Sequence, residues 1–262
     1  MQNLEQIKKI LEEGLEIYYN RDFIKNDPIC IVHKFSKKND IELVGFIVSI
    51  FSFGKRSIII KKAEEFIKKM NFNPYEFVIN FEKEDEKFLK NICHRTINFD
   101  DLIFVIKRLK YIYEKYESIE NCFSQKFDSN EKNIEKALIN FHELFFENCD
   151  KNFRTRKHIP SPKRNSSCKR MNMFLKWMVR NDEKKIDFGI WNKIKPSQLI
   201  CPCDVHVVNI CHKIGIIEKK NYNWKTAIEI TEKLAYFCPE DPIKYDFSIF
   251  SMGEDKFFDK KY

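Results

Sequence analysis

The chain has 262 residues, a net charge of +8, 43% hydrophobic and 15% aromatic residues. That composition excludes a disordered tail and supplies enough apolar side chains for a sizeable core. No apolar run reaches the roughly 18–20 residues that span a bilayer, and Met1–Gly14 carries no stretch of signal-peptide type, so a cytoplasmic protein without membrane contact is expected. Nine cysteines without an export signal point to reduced thiols rather than a disulfide framework. Only six glycines argue against a many-turned β fold and against Gly-rich phosphate loops.

Taken in order, the chain reads as helices. Leu4, Ile7, Leu11 and Leu15 recur at helical spacing. Asp40 is placed to cap a second helix whose inner face includes Leu43, Phe46, Ile47 and Ile50, ending near Phe53 and Gly54. A third covers Ser57–Met70, although Ile58, Ile59 and Ile60 alone suit a strand, and Asn73-Pro74 ends it. Further helical stretches fall at 84–93, 99–117, 131–147, 167–180, 205–214, 224–236 and 242–252. There is no Asn-Gly or Asp-Gly turn and no sustained period of two. The expectation is an all-α fold.

The charge is unevenly placed. Residues 151–180 hold ten basic side chains, Lys151, Arg154, Arg156, Lys157, Lys163, Arg164, Lys169, Arg170, Lys176 and Arg180, and no acidic one. Removing these ten from the 47 basic residues leaves 37 against 39 acidic ones, a balance of −2. A polyanion partner, nucleic acid first among them, is the natural reading, against a plain solvated face.

Within this segment Pro160 and Pro162 forbid a continuous helix. Ser166 or Ser167 can cap the next one, which starts near Lys169. Met171, Phe174, Leu175 and Met178 form its buried stripe. Lys169, Met173, Lys176 and Arg180 fall roughly opposite, as a cationic side. Its first turn carries the positive end of the helix dipole, where a phosphate can bind. Further on, Asp204 is placed to cap the helix carrying Val205, Val208 and Ile210.

Three pieces carry a resemblance: HIPSPKRNSSCKRMNMFL, the step PCDVHV, and the ending DPIKYDFSIFSMG. Together they resemble the helix-hairpin-helix DNA glycosylase superfamily, closest to 8-oxoguanine DNA glycosylases of the archaeal type with a long Lys-to-Asp separation. Here that separation is 35 residues, from Lys169 to Asp204. The chain is also similar to a group of uncharacterised bacterial proteins that share the DP-x-x-YDF ending. The specific similarity covers residues 160–252. The family's hairpin has Gly-x-Gly before its Lys, whereas this chain has Arg164-Asn165-Ser166-Ser167-Cys168. The four-Cys iron–sulfur loop of many relatives is missing, since only Cys211 and Cys238 follow Cys203.

The resemblance implies a two-lobed helix-hairpin-helix glycosylase fold as one unit over 1–262. One lobe would be 36–182 with the hairpin and Lys169. The other would be 1–35 plus 183–262 with Asp204 and the final helix, and the flipped nucleotide would enter between them. It implies a monomeric base-excision repair enzyme, a DNA glycosylase with apurinic-site lyase activity. Its partner would be double-stranded DNA carrying an oxidised purine, 8-oxoguanine foremost, and it would be nucleoid-associated when bound. No cofactor and no metal are implied. Lys169 would be the nucleophile and Asp204 its acidic partner. Met173, Asp246 and Phe250 would form the base pocket. Lys163, Arg164, Ser166, Ser167, Arg170 and His206 would contact DNA.

The residues make chemical sense of those roles. A lysine of reference pKa is neutral to only roughly 0.04% at pH 7, yet displacement at the sugar C1′ needs the free amine. A helix N-terminus and the cations Lys163, Arg164 and Arg170 favour the neutral form of Lys169, and Asp204 favours the charged form. Asp204 would orient the amine and stabilise positive charge developing on the sugar. Met173 lies one turn beyond Lys169. Asp246 and Phe250, four apart, share a face, the first to accept from a base edge and the second to stack.

Two other readings compete. Cys201, Cys203, His206, Cys211 and His212 fall within twelve residues, but C-x-C is not the usual zinc pair and no second pair follows. A non-catalytic helical nucleic-acid-binding protein that retains the fold would show salt-dependent binding and no base release.

Overall fold

The computed structural model describes residues 4–150, 153–255 and 257–258. Lys151, one of the ten clustered cations, lies outside the described residues. Twelve α-helices account for most of them, and among the described residues there is no strand, only two isolated β-bridges. The all-α expectation agrees with this. None of these helices is long and apolar enough to cross a membrane.

The chain divides into two compact units. One comprises Ile24–Asp128 and Lys136–Pro160. It contains α2 (Ile29–Val32), α3 (Lys38–Phe51), α4 (Arg56–Lys69), α5 (Pro74–Ile79), α6 (Phe99–Tyr116), α7 (Ile119–Phe123) and nearly all of α8 (Glu135–Phe145). Helix α3 is its axis: every residue from Asp40 to Phe51 is buried, and α2, α4 and α5 pack around it. An enclosed helix must satisfy its polar groups internally. Glu42 does so, accepting from the amides of Ile119 and Glu120 at 2.9 and 3.0 Å and from the Tyr113 hydroxyl at 2.8 Å. Asp40 is not the cap of α3. The helix starts earlier, with Lys37 at the cap position, and Asp40 instead accepts from the Tyr75 amide at the start of α5. The stretch expected as a helix at 84–93 is a 3-10 turn over Lys83–Leu89.

The other unit comprises Met1–Phe23, Ser129–Glu135 and Ser161–Tyr262. It contains α1 (Leu4–Tyr18), α9 (Lys169–Val179), α10 (Val205–Lys213), α11 (Trp224–Ala235) and α12 (Asp246–Glu254). Helix α12 packs against α1 on one side and α10 on the other. Gly253 makes the second contact possible, because a Cβ there would stand 2.8 Å from that of His206.

The division differs from the lobes expected from sequence. Residues 161–182, with Lys169, belong with Asp204 and not with residues 36–128 and 136–160. Contacts within the unit explain this. Phe174 meets Trp191 edge to face, and Ser166 pairs with Asn223.

The cationic face expected on α9 is also corrected. Met171, Phe174, Leu175 and Met178 are buried as expected, but so are Lys176 and Arg180 on the far side. Lys176 Nζ lies 2.9 Å from Asp246 Oδ2. Arg180 donates to Asp241 at 2.7 Å and Asp187 at 3.1 Å. Burial alone would lower the pKa of either cation, but the facing carboxylates outweigh it and raise both. Burial raises Asp187 to about 6.

Candidate functional site

The site begins in the turn before α9. Pro162–Arg164 forms a 3-10 turn, after which Asn165 and Cys168 adopt left-handed backbone with φ 54° and 51°. Glycine takes this conformation freely, and each non-glycine residue there costs on the order of 1–2 kcal/mol. The hairpin therefore makes two glycine-like bends without glycine. Neither serine caps α9 directly: Cys168 occupies the cap position without a side-chain bond, and Ser166 Oγ accepts from the Cys168 amide at 3.2 Å. Ser167 reaches across the unit, its Oγ donating to the carbonyl of Cys203 at 3.3 Å. Asn172 Nδ2 in turn donates to the Ser167 carbonyl at 3.1 Å. The residue before Asp204 is thus tied to the residues before Lys169.

This tie sets the central pair. Asp204 caps α10, as its position predicts, with Oδ1 accepting from the amides of His206 and Val207 at 2.9 and 3.1 Å. The other oxygen, Oδ2, lies 3.4 Å from Lys169 Nζ. The two side chains are 30% and 19% exposed, so the pair is reachable from solvent. One carboxylate therefore both starts a helix and faces an amine 35 residues away in sequence.

Two rings complete the group. Lys169 Nζ stands 5.9 Å from the centroid of the Phe250 ring, a cation–π distance. His206 meets the same ring edge to face at 5.7 Å. Thus Lys169, Asp204, His206 and Phe250 come together from three helices and a cap. Met173, one turn after Lys169, is half-buried.

Asp246 has a partner that the sequence did not suggest. Besides Lys176, it accepts from the Cys201 thiol at 3.7 Å, and the Lys176–Asp246 side chains are only 7% and 10% exposed. Cys201 and Cys211 are buried thiols with raised pKa, Cys201 first through a hydrogen bond with the Cys203 thiol and Cys211 through burial. Among the described residues no three His, Cys, Asp or Glu side chains gather as metal ligands.

The basic segment is not one surface. Residues 153–160 belong to the other unit, where Arg154 pairs with Asp101 at 2.6 Å and Arg156 donates to backbone carbonyls of Phe146, Cys149 and Asp150. Lys176 and Arg180 are internal. Lys163 and Arg164 are exposed on the hairpin, and Arg170 is half-buried, its pKa drawn down by burial.

A family model described as a protein of unknown function, DUF2400, matches residues 27–255. The chain belongs to this family, and the match takes in both units. No curated protein and no solved structure matches the chain.

Proposed function

We propose that the protein is a DNA glycosylase and apurinic-site lyase that removes an oxidised purine, 8-oxoguanine, from duplex DNA within a helix-hairpin-helix glycosylase fold. The observation that carries this reading is the part-exposed Lys169–Asp204 pair at 3.4 Å beside an aromatic ring. A helix cap needs no lysine, and a surface ion pair does not need a carboxylate anchored by two amides.

In this reading Nζ of Lys169, once it has lost a proton, attacks the sugar C1′. The N-glycosidic bond breaks, its electron pair leaves with the base, and the base takes up a proton from solvent. Ring opening and loss of a further Nζ proton give a Schiff base. Removal of a C2′ proton then expels the 3′ phosphate by β-elimination. Asp204 Oδ2 orients the amine and opposes positive charge building on the sugar, while Oδ1 stays fixed by the first turn of α10. Phe250 offers a stacking face to the extruded base and Met173 a second wall, while Asp246, enclosed with Lys176, supports the pocket from behind. His206, exposed at the start of α10, suits a phosphate.

Borohydride trapping on a duplex with one 8-oxoguanine tests the reading. The wild type should give a covalent adduct and Lys169→Gln none. A normal adduct from Lys169→Gln overturns Lys169 as nucleophile. Base release and nicking scored separately on a panel of single-lesion duplexes define the lesion. Tight duplex binding without base release from any of them would leave the protein a non-catalytic binder.

A further inference from the structure

Beyond the hairpin, one stretch far along the chain stands beside it. Ser166 and Asn223 form an antiparallel bridge, and the Trp224 amide donates to the Asn165 carbonyl at 3.4 Å. The stretch is firmly held. Asn223 Oδ1 accepts from the Thr226 amide at 3.0 Å as the cap of α11, and the Trp224 ring is buried. Lys219, Lys220, Tyr222 and Lys225 flank this anchor and are all exposed, Tyr222 by 52%.

Their place beside the hairpin sets them apart, since other exposed lysines, Lys83 and Lys90 among them, also have no ion pair or hydrogen bond with the described residues but lie in the other unit. Some exposed lysines elsewhere meet carboxylates, as in Lys34–Glu64, Lys107–Glu86 and Lys132–Glu232. Among the described residues no ion pair or hydrogen bond engages the side chains of Lys219, Lys220, Lys225 or Tyr222. Glu218 is the only acidic residue between 218 and 225. A fixed backbone thus carries unneutralised cations and a phenol next to the exposed Lys163 and Arg164. The nearly neutral charge balance outside 151–180 hides this, because it sums over the whole chain and not over one surface.

We propose that residues 219–225 form a second strip of the DNA-binding surface, continuous with the hairpin, on which Lys219, Lys220 and Lys225 neutralise duplex phosphates and Tyr222 donates to one. The partner is the sugar–phosphate backbone, since three ammoniums and a phenol supply charge and donors without a base-reading fork. The proposal rests on the DNA-directed reading above but not on its chemistry.

The test is equilibrium binding of the full chain to a short undamaged duplex across a salt series. Each phosphate contact contributes about −0.9 to the slope of log K against log salt. The triple variant Lys219→Gln, Lys220→Gln, Lys225→Gln should flatten the slope by about 2–3. A control in the other unit that removes two exposed lysines, Lys83→Gln with Lys90→Gln, should keep the wild-type slope. Tyr222→Phe should weaken binding with no change in slope. Thermal melting of each variant confirms that it is folded. A triple variant with the wild-type slope overturns the strip, as does an equal loss per lysine in the control, or a wild type that does not bind duplex. Unchanged affinity in Tyr222→Phe removes the phenol from it. Base release measured on the same proteins separates the two readings. Failure of the strip leaves wild-type base release intact, whereas failure of the glycosylase reading abolishes base release and leaves the salt slopes as expected.

Discussion

Lys169 and Lys176 lie seven residues apart on α9, and each faces an aspartate. Lys169 meets Asp204 at 3.4 Å with nearly a third of its side chain in solvent, while Lys176 meets Asp246 at 2.9 Å in the interior. Water screens the first pair and leaves it exchangeable, so its net contribution to stability is about 0–1 kcal/mol. Desolvation makes the second an obligate pair, in which neither charge tolerates loss of the other. One helix therefore has a solvent-accessible end and an enclosed end, and the difference lies in solvent access rather than in residue type.

The largest test of this contrast is to break the buried pair. Asp246→Ala strands the Lys176 ammonium and should destabilise the protein by about 3–5 kcal/mol. Combining it with Lys176→Met should recover much of that loss. Urea unfolding of the single and double variants measures both, and an Asp246→Ala protein of wild-type stability would remove the distinction between the two ends.

The same end should titrate. Burial first of all, with Asp182 adding to it, raises Asp187 to about 6 against the attraction of Lys176 and Arg180, whereas an unfolded aspartate titrates near about 3.9. The folded state therefore holds this proton more tightly. The associated stability is complete below about pH 4 and is lost as pH rises through about 6, a change of up to about 3 kcal/mol. Asp187→Asn should remove that part of the pH dependence. Unfolding midpoints at pH 4, 5, 6 and 7 show whether the two curves differ in this window.

Smaller effects sharpen the solvent-accessible end. Gly253→Ala places a Cβ 2.8 Å from that of His206, so α10 must shift, at a cost of about 1–3 kcal/mol. Base release should fall further than stability suggests, because α10 carries Asp204. Smallest in energy is Lys169→Gln, which should change stability by less than about 1 kcal/mol and yet abolish the borohydride adduct. A large stability loss in this variant would make Lys169 structural, like Lys176.

How much of this was legible in the sequence depended on range. Asp204 was readable as a cap because its first acceptor role is local, to amides two and three residues away. The buried stripe of α9 was readable from its period. The fates of Lys176 and Arg180 were not, since their carboxylates lie 70 residues away for Lys176 and 61 and 7 for Arg180. A wheel shows which residues share a face but not whether that face is enclosed. Asp40 misled for the opposite reason. A good capping residue sat one turn inside the helix and served the start of α5 instead. The pairing of the hairpin with Asn223 had no sequence signal, because a single bridge has no period.

The divided carboxylate of Asp204 ties the Lys169 contact to local order. When the first turn of α10 frays, Oδ1 loses its two amide donors and Oδ2 is no longer held opposite Lys169. Val207 and Val208 in that turn are buried, and α10 packs along α12, so the turn opens only when this packing does. In the proposed mechanism, activity on warming therefore reports the docking of α10 on α12 rather than the Lys169–Asp204 contact by itself.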